Sequence, residues 1–280
     1  DSKNDSIFLQ EGILDCLLET LNTQICKTGD VNILVFVLGV LKNVSNSESN
    51  QVHLVANNAI KTFVSMLNRD DLVNTAKHAQ EVVQASAALR NLAINPDHFT
   101  YFVEAGALQA FSRVCELFPG NADVIRNVSR SLAKLSLHDE VCEELATEQY
   151  HIQQIANVLN QHKDNTDIVL RLVFVLGNLT SRNDSARLTL MLDCGGMSLI
   201  PELLSKYWKR ELAQKEWPAA KRIADLESVL VKLVRLVANV SISSQLGPQE
   251  GANSGIVQPL LEILAEKTIA DSEELVLNTV

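Results

Sequence analysis

Aromatic residues make up only 5% of this 280-residue chain, and prolines number six. Few prolines leave long stretches free to form uninterrupted helices. No run of about 18 apolar residues occurs, so no segment reads as a membrane-spanning helix. The first ten residues lack the basic region and apolar core of a secretory signal. Basic residues are also in deficit, with 24 Lys and Arg against 34 Asp and Glu and a net charge of −10. That balance argues against generic nucleic-acid binding, which needs a cationic footprint on the phosphates. Neither a nucleic acid nor a membrane is therefore an expected partner.

The chemistry of metal and nucleophile sites is missing as well. The six histidines show no H-E-x-x-H spacing, and no C-x-x-C pair exists, so no metal or other cofactor is expected. The cysteines (Cys16, Cys26, Cys115, Cys142, Cys194) are odd in number and scattered through apolar helical contexts. This pattern reads as reduced, buried thiols in a cytoplasmic compartment. His138, Asp139 and Cys142 resemble a nucleophile cluster, but a Cys four residues after a His arises easily by chance at a polar helix end. No phosphate-binding G-x-x-x-x-G-K-[ST] loop is present, and Leu246–Gly251 reads as a turn-rich linker. The four N-x-[ST] triplets starting at Asn43, Asn127, Asn178 and Asn239 fall inside predicted helices, where a glycosylation match is accidental. An enzyme is not expected.

What the chain does contain is one unit repeated. Asn43 is followed by Asn58, Asn91 by Gly106, Lys134 by Tyr150, Asn178 by Gly195 and Asn239 by Gly255, always 15 to 17 residues later, and Gly12 opens the series. The glycine-type positions advance by 46, 48, 44, 45 and then 60 residues. All but the last interval are close to the roughly 40–47 residues of helical solenoid repeats. After each comes the same apolar pair, from Leu14 and Leu17 to Val257 and Leu260. A solenoid adds core one repeat at a time, so a single continuous domain over 1–280, of about six repeats with the last incomplete, is expected.

Before each glycine-type position lies a helix with apolar residues at i, i+3, i+4 and i+7, which share one face. Leu34, Val37, Leu38 and Leu41 fit, as do Ala85, Ala88, Leu89 and Leu92, then Val128, Ser131, Leu132 and Leu135. Leu172, Val175, Leu176 and Leu179 follow, then Leu233, Leu236, Val237 and Val240. The glycine has a backbone reason, since a sharp corner between helices needs a left-handed residue. Asn58 can adopt that conformation at some cost. Tyr150 cannot do so easily, so the fourth junction is expected to be built differently, or to be shifted by one residue.

The segments Leu38–Ser45, Ala88–Ala93 and Leu176–Thr180, each followed by a Gly-x-Leu-x-x-Leu-type element, resemble armadillo repeats over nearly the whole chain. The resemblance implies an all-α, right-handed superhelical solenoid acting as a protein-protein interaction scaffold. The third helix of each repeat would line a concave groove that takes an extended or helical peptide. The groove residues would then be Asn43, Asn91, Asn178 and Asn239, with Lys134 interrupting the ladder. Amides suit that role because each offers a donor and an acceptor to a peptide unit. The same amides could equally bond a neighbouring helix end. Lys42, Arg90 and Lys134 form either a basic row for an acidic partner, like that of catenin-type grooves, or a solvated face.

Nuclear-import armadillo adaptors place a tryptophan four residues before the asparagine, where this chain has Gly39, Ala87, Phe174 and Arg235. This departure argues against import-signal binding. Similarity within the family to proteins of motile cilia and sperm flagella implies an adaptor in the assembly or transport of axonemal complexes such as radial spokes. A permanently docked structural component of the axoneme is the alternative.

The long interval holds one segment that breaks the repeat, at about 205–226. It carries Lys206, Lys209, Arg210, Lys215, Lys221 and Arg222 against Glu211 and Glu216, with Tyr207 and both tryptophans, Trp208 and Trp217. Insertions in repeat proteins often map to the binding face, and Trp, Tyr and Arg are enriched at interface hot spots. Tyr207, Trp208, Lys209, Arg210 and Trp217 are therefore a candidate partner site. Packing of the tryptophans back onto the repeats, or a mobile basic loop, would explain the segment too. Extrapolation from Gly255 makes Leu275–Val280 the start of an unfinished third helix, so the chain is expected to be a fragment with an uncapped apolar end.

Overall fold

In the computed structural model, residues 11–26, 30–214, 225–246, 255–270 and 272–280 are described, and every regular element among them is helical. Two compact units emerge, Asp1–His138 and Asp139–Val280. The boundary falls at a repeat junction.

The first unit contains α1 (Ile13–Cys26), α2 (Val31–Val44), α3 (Glu48–Ala56), α4 (Ala59–Leu67), α5 (Thr75–Leu92), α6 (Phe99–Glu104), α7 (Ala107–Leu117) and α8 (Ala122–Leu135). A short helix, a second helix and a longer third helix make each full repeat. The third helices α2, α5 and α8 pack side by side, α2 on α5 and α5 on α8. Their apolar stripes are buried in the expected register at Leu34, Val37, Leu38, Leu41, Ala85, Ala88, Leu89, Leu92, Val128, Leu132 and Leu135. Capping side chains start two of them. Asp30 accepts from the Asn32 N–H at 2.8 Å, and Asn121 accepts from the N–H groups of Asp123 and Val124, both at 3.2 Å.

The corners follow the sequence pattern. Asn58 (φ 60°), Gly106 (φ 71°) and Gly12 (φ 64°) are left-handed, as are Gly195 (φ 74°) and Gly255 (φ 82°) in the second unit. A Cβ added to Gly106 would meet nothing within 4 Å, so only the backbone resists substitution there. Gly106→Ala is expected to destabilise the first unit by about 1–2 kcal/mol, the cost of a left-handed residue with a Cβ. A urea titration with an unchanged midpoint would contradict this.

The second unit contains α9 (Asp139–Thr147), α10 (Gln149–Gln161), α11 (Thr166–Arg182), α12 (Asp184–Leu188), a π-turn (Thr189–Asp193), α13 (Gly196–Gln214), α14 (Leu226–Ser241), α15 (Val257–Glu266) and α16 (Glu273–Thr279). The fourth junction is indeed different. Extended Glu148 (φ −111°, ψ 119°) separates α9 from α10, and Tyr150 is already helical. Here too the third helices pack side by side, α11 on α14 and α14 on α16. The buried stripes Leu172, Val175, Leu176 and Leu179, and Leu233, Leu236, Val237 and Val240, again keep register.

The first part of the segment at about 205–226 belongs to α13. This second helix runs for 19 residues, against 9 in α4, 11 in α7 and 13 in α10, so Ser205–Gln214 extends a helix instead of forming a loop. Tyr207 is 0% exposed and Trp208 1%, which makes them core side chains, not a docking surface. Arg210 bonds Asp164 Oδ1 at 2.5 Å and lies 5.2 Å from the Tyr207 ring centroid, while Lys206 pairs with the same carboxylate at 2.7 Å. Those cations hold Asp164 well below the usual carboxylate range, the Lys206 hydrogen bond being the largest cause. Of the predicted partner residues here, Lys209 alone is exposed among the described ones. Trp217, Lys215, Lys221 and Arg222 lie outside the described residues, as do positions 247–251 of the predicted linker. No single described helix is long and apolar enough to cross a membrane.

Candidate peptide-binding wall

In the first unit, α2, α5 and α8 together shape a cavity of about 400 Å3. Lys42 and Asn43 come from the end of α2 and Asn46 from the turn after it, Val83, Gln84, Ala87, Arg90 and Asn91 from α5, and Asp123, Arg126 and Asn127 from α8. The residues four before each asparagine, Gly39 and Ala87, are small.

The amide ladder has a structural role at its centre. Asn91 is 3% exposed; its Nδ2 donates to the Lys42 carbonyl and to Ser45 Oγ, each at 3.0 Å, and its Oδ1 accepts from Arg90 Nη2 at 3.0 Å. It staples α5 to the end of α2. In the second unit Asn239 Nδ2 donates to the Gly177 carbonyl at 2.9 Å and staples α14 to α11. Bonding between neighbouring helices is thus the reading that holds for both. Asn43, at the edge of the first unit, is exposed, and Asn178 is half-buried.

Lys134 is exposed on α8 and does not line the cavity. The amide acting on that helix is Asn127, two turns earlier on the same face. Its Nδ2 donates to Ser86 Oγ at 3.2 Å and to the Val83 carbonyl at 3.3 Å, and its Oδ1 accepts from Arg90 Nη1 at 2.9 Å. Sequence reasoning passed over Asn127 because the ladder register fell on Lys134. A seven-residue spacing on a helix returns to the same face, and that signal was available.

Arg90 is therefore clamped between two amide oxygens from two helices. Burial, with repulsion from Arg130, lowers its pKa below the ordinary arginine value, yet the guanidinium stays charged. Arg126 pairs with Asp123 at 2.5 Å on the exposed side of the cavity. The wall thus presents three cations, Lys42, Arg90 and Arg126, with one carboxylate.

In the second unit a smaller cavity of about 150 Å3 lies between α11 and α14, lined by Phe174, Gly177, Asn178, Lys232, Arg235 and Asn239 among others. Lys232 sits 5.7 Å from the Phe174 ring centroid, and Glu274 of α16 lies 3.8 Å from Lys232 and 3.6 Å from Arg235. An internal carboxylate already faces these cations.

Two of the cysteine thiols are shifted upward by their surroundings. Burial pushes the Cys115 thiol up to about 12 and, together with Asp139, the Cys142 thiol up to about 11. Both are protonated at neutral pH. Cys115 and Cys194 are buried as expected and Cys142 partly so, whereas Cys16 is exposed; the Cys26 side chain lies outside the described residues. The His138 ring stacks on Phe99 with centroids 4.0 Å apart. Among the described residues no three His, Cys, Asp or Glu gather as a metal site.

No family model matches the chain. It is 30% identical over 289 residues to Armadillo repeat-containing protein 2 of Mus musculus, covering 100% of this chain and 34% of that protein. The Bos taurus protein of the same name is 32% identical over 291 residues, covering 99% of this chain and 33% of its own length. The chain thus spans about a third of the curated relatives it matches. Among solved structures, a designed armadillo repeat protein in complex with the peptide (KR)4 superposes with a TM-score of 0.67 at 17% identity, over 95% of this chain and 97% of that one. An engineered protein superposes with a TM-score of 0.66 at 19% identity, over 95% of each chain. By its repeated helical register, its left-handed corners and these similarities, the chain has the all-α fold of armadillo repeats and is similar along its length to Armadillo repeat-containing protein 2.

Proposed function

We propose that this chain is a non-enzymatic interaction scaffold that holds an extended segment of a partner protein against its third helices. The observation that carries the reading is the polar cavity of about 400 Å3 built by three consecutive third helices. A rigid wall with fixed side chains lowers the entropy cost of ordering a linear ligand. The designed armadillo repeat protein that holds a peptide supports this use of the fold.

A finer reading makes the scaffold an adaptor in the assembly or transport of axonemal complexes such as radial spokes, working in the cytoplasm and in motile cilia or flagella. It rests on the resemblance stated above and on similarity to Armadillo repeat-containing protein 2. The alternative, a permanently docked component of the axoneme, would dock through the basic, tryptophan-bearing segment at about 205–226. Burial of Tyr207 and Trp208 and pairing of Lys206 and Arg210 with Asp164 remove most of that surface among the described residues.

Fractionation of ciliated cells separates the two. A transport adaptor leaves with detergent at low salt and co-purifies with axonemal subunits not yet incorporated. A docked component stays with the axoneme until high salt breaks its ionic contacts. Retention through the detergent step would sink the adaptor reading, and absence from both fractions would sink the axonemal one.

A further inference from the structure

We infer that α15 in the second unit is the seat of an amphipathic helix carried by a partner protein, a helix with one apolar stripe and basic flanks. Val257, Leu261 and Leu264 are 45%, 56% and 36% exposed. Their spacing of four and then three residues sets them on one stripe of α15. A contiguous exposed apolar face marks an interaction surface, whereas a single exposed leucine does not. The seat involves no residue of the third-helix wall in the first unit.

Other second helices of the chain carry the same stripe and have it filled. Counted from the left-handed residue that opens each second helix, the matching positions in α4 are Ile60, Val64 and Leu67, and all three are buried. Thr62, on the opposite side of α4, donates to Asn22 Oδ1 at 3.0 Å, so the stripe turns the other way, toward α7, which packs on α4. In α13 the two later positions, Pro201 and Leu204, are likewise buried, and α15 packs on that helix. The stripe is therefore a helix seat, filled on α4 and α13 and open on α15.

Charge selects the occupant. Within the chain, an incoming second helix brings a cation to the corner that follows the helix before it. Arg113 of α7 donates to the Leu67 carbonyl at 3.4 Å and lies 4.0 Å from Asp70, while Arg210 of α13 reaches the Asp164 carbonyl, after α10, at 3.3 Å. The charged residues of α15 are Glu262 and Glu266, both exposed. Lys267, which follows them, is turned to Glu211 at 3.0 Å and Glu227 at 3.4 Å. A helix with Lys or Arg beside its apolar face meets complementary charge there, and an acidic one meets repulsion.

The test uses the whole chain and three fluorescein-labelled peptides of about 18 residues, long enough to hold a helix. One carries leucines at helical spacing among lysines, the second the same leucines among glutamates, and the third the composition of the first in an order without a stripe. Fluorescence anisotropy is expected to show the first binding most tightly. Leu261→Gln should weaken it about tenfold or more, because a leucine contact is lost. Glu262→Lys should weaken it about threefold, while Ile94→Gln, at an exposed apolar position of the first unit, leaves it unchanged. All three substitutions fall on exposed side chains, and unshifted thermal melts would show that the variants stay folded. No binding of the first peptide, or equal binding of either of the others, overturns the inference. A dimer in sedimentation velocity that Leu261→Gln dissolves would overturn it too, since a second copy of the chain would then be the occupant.

Discussion

Trp208→Ala should lower the stability of the second unit by about 3–5 kcal/mol, the range for deleting a buried large aromatic side chain. Trp208 is 1% exposed beside Tyr207, which is fully buried, so the deletion leaves a cavity in α13's packing face that water cannot fill favourably. For a unit of this size the midpoint of the thermal transition attributable to it should drop on the order of 10 °C. Association with a partner, measured well below that transition, should be unchanged. The reverse pattern, an unaltered melt with lost association, would return the tryptophan to the surface role that its neighbouring lysines suggested.

The second large effect is expected at Asn91. Asn91→Ala removes the donor to the Lys42 carbonyl and Ser45 Oγ and the acceptor for Arg90 Nη2 in a site that is 3% exposed. Leaving buried partners unsatisfied costs roughly 1–3 kcal/mol, and the upper half of that range is expected because one of them is charged. Far-UV circular dichroism at room temperature should be unchanged while the unfolding midpoint of the first unit falls. Asn43→Ala, at the exposed end of the same ladder, should stay within about 0.5 kcal/mol of wild type. Equal, small losses at both positions would mean that Asn91 does not staple α5 to α2.

The two units set charge along their third helices differently. In the first, Lys42, Arg90 and Arg126 line the cavity with one carboxylate, Asp123, among the lining residues. In the second, Glu274 already lies within 4 Å of both Lys232 and Arg235.

Period and corner were legible because both are local. The recurrence of Leu34, Val37, Leu38 and Leu41, repeated at Leu172, Val175, Leu176 and Leu179, needs only a 3.6-residue helix with one buried side. Left-handed backbone at Gly12, Asn58, Gly106, Gly195 and Gly255 follows from the absence of a Cβ, or from the tolerance of asparagine. Tyr150 marked the one junction that had to be made another way, and an extended Glu148 makes it. These features were determined by the sequence alone.

Which way each polar or aromatic side chain turned was decided by tertiary structure, because that depends on atoms 40 or more residues away. Asn91 looked like a ligand contact until the end of α2, 46 to 49 residues earlier, supplied its acceptors. Asn127 took the amide role that Lys134 could not fill, through partners 41 and 44 residues before it. Trp208 has the same residue type on a surface or in a core, and the length of α13 settled the matter by carrying it inside. Local backbone preference can set a repeat, but only the packing of one repeat on the next determines which of its polar groups are left for a partner.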